Sequence, residues 1–155
     1  RRFLYCQTEE RGINPLMTDL KSMNQEELTV FLKCKFEITN PYGVISSPRY
    51  PEDYPRNIYC YWHFHTVLGH RVQLTFHEFH LENHQECIYD YLAIHDGKSE
   101  NSSTLGVYCG GKEPYAVLAS SNDMFMVLKT DAGLQRKGFY ATYSTGKLVG
   151  IRLLL

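Results

Sequence analysis

No apolar run approaches the ~20 residues that a membrane-spanning helix needs, so no segment reads as transmembrane. Net charge is nearly absent. A formal −1 at pH 7 offers no electrostatic basis for nucleic acid or an anionic membrane as the main partner. No CxxC or other tight cysteine pair occurs, which argues against structural zinc. No GxSxG or other nucleophile motif with spaced His and Asp is present. The "HEFH" of His77–His80 is not HExxH, because its histidines are three apart and the segment reads as strand. These absences exclude the familiar hydrolase arrangements, and catalysis by this chain is not expected. The N-terminus, "RRFLYCQTEERG", lacks the apolar region of a signal peptide, and no initiator Met precedes it. The sequence therefore reads as a fragment or a mature segment. Internal repeats and low-complexity tracts are also missing.

What is abundant is aromatic: 12 Tyr and 8 Phe in 155 residues, a composition that favours strands. The 43% hydrophobic content supports a real core, and the length suits one domain with extra chain. Residues 1–33 differ from the rest. Leu20, Met23, Leu28, Phe31 and Leu32 recur at spacings near three and four, with Ser22 or Asn24 as a cap and Glu26 and Glu27 in the first turn. This predicts a short helix in an N-terminal extension, a linker or the tail of a preceding segment.

From Cys34 the period becomes two. "CYWHFHT" sends Cys60, Trp62 and Phe64 to one face and Tyr61, His63 and His65 to the other. "RVQLTFH" puts Val72, Leu74 and Phe76 inward, and "DYLAIH" does so with Leu92 and Ile94. "MFMVLKT" and "GFYATYS" continue the pattern. Turn signals separate the runs at Pro51 to Pro55, Gly69, Asp96-Gly97, Gly110-Gly111, Ala132-Gly133 and Lys137-Gly138. Many short strands, each with one wet face, predict an all-β antiparallel sandwich. Pro48, Pro51 and Pro55 cannot donate to a ladder, so they belong in a connector between a short strand at Val44–Ser46 and the strand carrying Trp62. Their preset φ angles reduce the entropy lost on ordering it. The tyrosines around them pack flat and keep their hydroxyls near water or a partner.

Of five cysteines, Cys34, Cys60, Cys87 and Cys109 lie in the strand-rich part and Cys6 lies outside it. Four cysteines allow three pairings, which spacing alone does not separate. Sequential pairing would close loops worth roughly 3–4 kcal/mol each in the chain-entropy model. Asn101-Ser102-Ser103 is a glycosylation acceptor. Together these favour an oxidising, extracellular setting.

Glu82 ends one strand, Asp90 begins the next, and Asp131 follows "MFMVLKT". Strand ends of a sandwich cluster at its poles, so the three acids can meet. Each carboxylate pair at ~5 Å costs about 3 kcal/mol at an effective dielectric near 20. A hard divalent cation removes that cost, and calcium takes six to eight such oxygens. His63 and His65, outward on one strand, are a weaker candidate for a surface zinc ion and read more simply as half-buried strand residues.

The ordered set "C…GVISSPRYPEDYPRNIYCYW…VQLTFHEFHLE…CIYDYLAIHDG…LGVYCG…SSNDMFMVLKTD…GFYATY" closely resembles the CUB domain. The resemblance spans residues 34–145, leaving 1–33 as the extension and 146–155 as a tail. It implies a jelly-roll-like β-sandwich with disulfides Cys34–Cys60 and Cys87–Cys109, in a secreted or cell-surface protein. In the calcium-binding subset the matching acids are Glu82, Asp90 and Asp131. The matching tyrosine, Tyr54, braces the acidic cluster by a hydrogen bond and orients Asp131. A main-chain carbonyl after the third acid, here Gly133, completes the site. The chain departs from the family at Ala93, where many members carry an acid, and at the apolar Ala132-Gly133-Leu134.

The resemblance implies recognition without turnover: a calcium-stabilised acidic pole binding Lys or Arg of a partner protein. Alternatives are a non-catalytic fragment of a secreted CUB-containing protease, a single-CUB glycan-binding protein, or a structural module of a larger ectodomain. Cys6 would pair with a missing domain, pair between chains or stay free.

Overall fold

The computed structural model describes residues 32–147. The helix expected before Leu32, together with Cys6 and residues 148–155, lies outside the described residues. Nine strands follow in order: β1 (Leu32–Ile38), β2 (Tyr42–Ser46), β3 (Ile58–His65), β4 (His70–His80), β5 (Tyr91–Asp96), β6 (Ser103–Tyr108), β7 (Val117–Leu118), β8 (Asp123–Lys129) and β9 (Gly138–Lys147). They form a five-stranded sheet, β1-β3-β8-β5-β6, packed on a four-stranded sheet, β2-β9-β4-β7. Leu32 and Lys33 therefore belong to a strand rather than to a helical extension, and β9 continues through Gly146 and Lys147.

The apolar alternation read in β3 and β4 is the core alternation. Cys60, Trp62 and Phe64 are buried, as are Val72, Leu74 and Phe76, and they meet Phe139 and Ala141 of β9. Trp62 packs edge-on against Phe139 at 5.4 Å between ring centroids. Burial of each such side chain is worth roughly 1.5–3 kcal/mol. Two strands depart from the one-wet-face expectation. In β8 every residue from Asp123 to Leu128 is buried, and in β5 Ala93 and His95 are buried alongside Leu92 and Ile94. Interior position alone does not do this, since β3 is also interior and keeps a half-exposed face; cover by neighbouring side chains decides it. Rings from β3 cover the outer face of β8, with Tyr61 stacked on Phe125 at 4.8 Å.

The sandwich is also not wholly antiparallel. β1 runs parallel to β3, with Cys34 registered on Cys60 and bridged to it. The prolines lie in the connector between β2 and β3. That connector is held by the Tyr54 N–H donating to the Arg136 carbonyl at 3.0 Å. Gly138 opens β9 at a φ of 87°, and a Cβ there would overlap the Ser47 side chain. Ser47 Oγ uses that space to accept from the Phe139 N–H at 3.0 Å.

Candidate metal centre at the acidic pole

β5 and β8 are antiparallel neighbours, with Tyr91 registered on Lys129. Asp90 immediately precedes Tyr91 and Asp131 follows Lys129 by two, so the ladder delivers both acids to one end of the sheet. Glu82 arrives from the other sheet, two residues past the end of β4. Its connector is pinned at both margins. The Leu81 N–H donates to the Gly110 carbonyl at 2.9 Å and the Gly110 N–H to the Glu82 carbonyl at 3.3 Å. The Cys87–Cys109 disulfide ties the same loop to the end of β6.

The structure brings the three acids together, with one carboxylate oxygen from each lying within 4.8 Å of the others. Asp90 is the buried member, 1% exposed. Its Oδ1 accepts from the Asp131 N–H at 2.8 Å and its Oδ2 from the Tyr54 hydroxyl at 2.6 Å. Burial pushes the Asp90 carboxyl above its usual range. The Tyr54 and Asp131 hydrogen bonds pull it down, and the neighbouring Asp131 and Glu82 charges push it up. Tyr54 is itself buried and accepts from the Glu82 N–H at 3.1 Å. Burial, followed by the bond to Asp90, raises its phenol far above the ordinary tyrosine value.

One expectation for Tyr54 is corrected by this geometry: its hydroxyl orients Asp90 and the Glu82 backbone rather than Asp131. The physical reason is that Asp90, next to β5, lies under the connector. Asp131 instead caps its own turn, accepting from the Gly133 N–H at 2.7 Å. The Gly133 carbonyl accepts from Gln135 Nε2.

Whether these residues suit a cation can be judged from one atom. Glu82 Oε2 is buried and has no hydrogen-bond partner, and an unpaired buried carboxylate oxygen is costly. A Cβ at Gly133 would lie 3.5 Å from that oxygen and 2.9 Å from Asp131 Oδ1, so a bare glycine keeps the space between the two carboxylates open. An all-oxygen set with one orphaned anion fits a hard divalent cation. Asn101 lies exposed in the turn between β5 and β6.

Two facing sheets, two disulfides and an oxygen-lined pole define a small β-sandwich recognition module. The CUB-domain family model matches residues 34–143, and the chain belongs to the CUB-domain family, a non-catalytic module. The chain is 79% identical over 111 residues to dorsal-ventral patterning protein tolloid of Drosophila melanogaster, covering 72% of this chain and 10% of that protein. It is 46% identical over 113 residues to human tolloid-like protein 1, covering 73% of this chain and 11% of that protein. The chain thus spans only a small part of these relatives. Among solved structures, the MASP-1 CUB2 domain bound to Ca2+ superposes with a TM-score of 0.63 at 30% identity, covering 70% of this chain and 96% of that one.

Proposed function

We propose that this chain is an extracellular protein-recognition segment of a longer, tolloid-like protein, and that its acidic pole docks a Lys or Arg side chain of a partner. The observation that carries the reading is the orphaned Glu82 Oε2 beside Asp90 and Asp131. Glu82, Asp90 and Asp131 would hold calcium, with a main-chain contribution from Gly133. When bound, calcium supplies charge neutralisation that lets three carboxylates share one pole. Tyr54 holds Asp90 and the Glu82 backbone in place. Carboxylate oxygens left facing solvent accept charge-assisted hydrogen bonds from a basic side chain. The two disulfides and Asn101 support an oxidising, extracellular setting.

The test is thermal unfolding with calcium or with a chelator. Calcium is expected to raise the melting temperature, and Asp90→Ala to abolish the difference. A wild-type melting curve identical in both conditions would overturn the reading.

A further inference from the structure

The outer face of the five-stranded sheet carries a second cluster that the acidic pole does not use. His63 and His65 are two apart on β3, so their side chains leave the same face, while Trp62 and Phe64 turn into the core. Asp123 opens β8 and is registered on His65. His63 Nε2 lies 2.8 Å and His65 Nδ1 2.9 Å from Asp123 Oδ1. Each residue thus points a ligand-type atom at one spot, all within 4.8 Å of one another. On the other side of the His63 ring, Nδ1 lies 2.7 Å from Oε2 of Glu37, whose β1 position is registered on His63.

We propose that His63, His65 and Asp123 form a site for one borderline divalent transition-metal ion of the zinc class, with Glu37 as the residue that positions His63. Two ring nitrogens and a carboxylate oxygen are a donor set that zinc accepts and a hard cation does not favour. Bonds of about 2.0–2.2 Å in a tetrahedron place donors about 3.3 Å apart. The present His–Asp spacings of 2.8 and 2.9 Å therefore need to widen by roughly half an ångström, a small rotamer adjustment. A carboxylate on the far nitrogen of a ligating histidine sets its tautomer and ring orientation, and Glu37 stands there.

With His63 Nδ1 facing Glu37, the Nε2 of the ring faces Asp123 and is the atom that ligates the ion. The His65 side chain is 49% exposed and that of Asp123 5%, so the site has a solvent entrance beside a fixed anion. Three protein donors leave a fourth position for water or a partner's side chain.

The experiment titrates the full chain with zinc chloride by calorimetry, in saturating calcium so that the acidic pole is occupied. Cobalt then serves as a visible-absorption probe. One ion per chain is expected, with four-coordinate cobalt bands. His65→Gln is expected to weaken zinc by about tenfold or more and remove the bands. Glu37→Gln, which keeps the side-chain shape, is expected to weaken zinc about 10–100-fold. His80→Ala and Cys6→Ser are expected to leave the affinity unchanged. An unchanged calcium-dependent melting curve shows that His65→Gln remains folded. Absence of saturable zinc binding in the millimolar range would overturn the proposal. So would full retention of affinity in His65→Gln, or its loss in Cys6→Ser.

Discussion

The two ends of β8 carry different donor sets. Past its C-terminal end, Glu82 and Asp90, at the two ends of the β4–β5 connection, and Asp131, in the β8–β9 connection, present carboxylate oxygens. At its N-terminal end, Asp123 meets two imidazole nitrogens from the adjacent strand. At ~3.3 Å per residue the two clusters lie roughly 25 Å apart along the strand. They are also held differently. The acidic cluster is built from loops and depends on ties: the Tyr54 hydroxyl, the Cys87–Cys109 bridge and the contacts of Gly110. The histidine cluster lies on a strand face, placed by the register of β1, β3 and β8 and by the contact of His63 with Glu37. Loop-borne oxygens suit a large ion with flexible coordination, and strand-borne nitrogens suit a small one with strict geometry.

The largest expected effect comes from Asp90→Ala in saturating calcium. It removes the buried carboxylate, and with it stabilisation by mass action, about 2.7 kcal/mol at a hundredfold excess of calcium over Kd. With Kd in the ~10⁻⁴–10⁻³ M class of extracellular modules, differential scanning calorimetry in chelator and in calcium reads this directly. Tyr54→Phe comes next. It strips the donor from Asp90 Oδ2 and the acceptor from the Glu82 N–H, at a cost of about 1–3 kcal/mol. Chemical denaturation measures that loss, and a weaker calcium response should accompany it. Zinc affinity at the far end of β8 should be untouched, and any shift there would break the independence of the two ends.

His65→Gln should do the opposite. Its stability effect should be about 0.5 kcal/mol or less, as for an exposed side chain, with calcium binding intact.

The smallest effect belongs to neither cluster and calibrates both. Exposed Glu78 pairs with Lys137 at 2.6 Å and accepts from the Tyr50 hydroxyl at 2.5 Å. Lys137 first, then Tyr50, hold its carboxyl below the ordinary glutamate value of 4.5. A carboxyl depressed on folding adds stability above its unfolded pKa and loses it as pH falls through the folded one. Glu78→Gln should therefore melt slightly earlier at neutral pH. The deficit should fade as pH drops below the ordinary glutamate range. A deficit that persists in acid would assign the effect to packing rather than charge.

Much of the fold was legible because period two is a local property. Trp62 and Phe64 in β3, and Val72 and Leu74 in β4, reach the core by alternation alone, and the Pro48–Pro55 run excludes a central strand. Alternation failed at β8 and at Ala93 and His95; in β8 the outward Phe125 is covered by Tyr61 of the neighbouring strand, which no local pattern encodes. The acids Glu82, Asp90 and Asp131 were picked out by strand-end placement and family likeness, and their convergence is a matter of ladder register. Tyr54 was tied to the wrong acid for the same kind of reason. Its partner depends on which loop lies over which strand end. Asp123 carried no sequence signal at all, since nothing in "SSNDMF" announces a histidine pair sixty residues earlier.

By itself the amino-acid sequence determined which side chains turn inward, where the chain breaks between strands, and that carboxylates fall at strand ends. Each follows from backbone geometry within a few residues. Only the tertiary structure decided that β1 lies parallel to β3 and that β8 is covered on both faces. It also decided that one tyrosine braces Asp90, and that two histidines converge on Asp123. Those outcomes depend on strand order and register, and both are set by pairing between residues far apart in the chain.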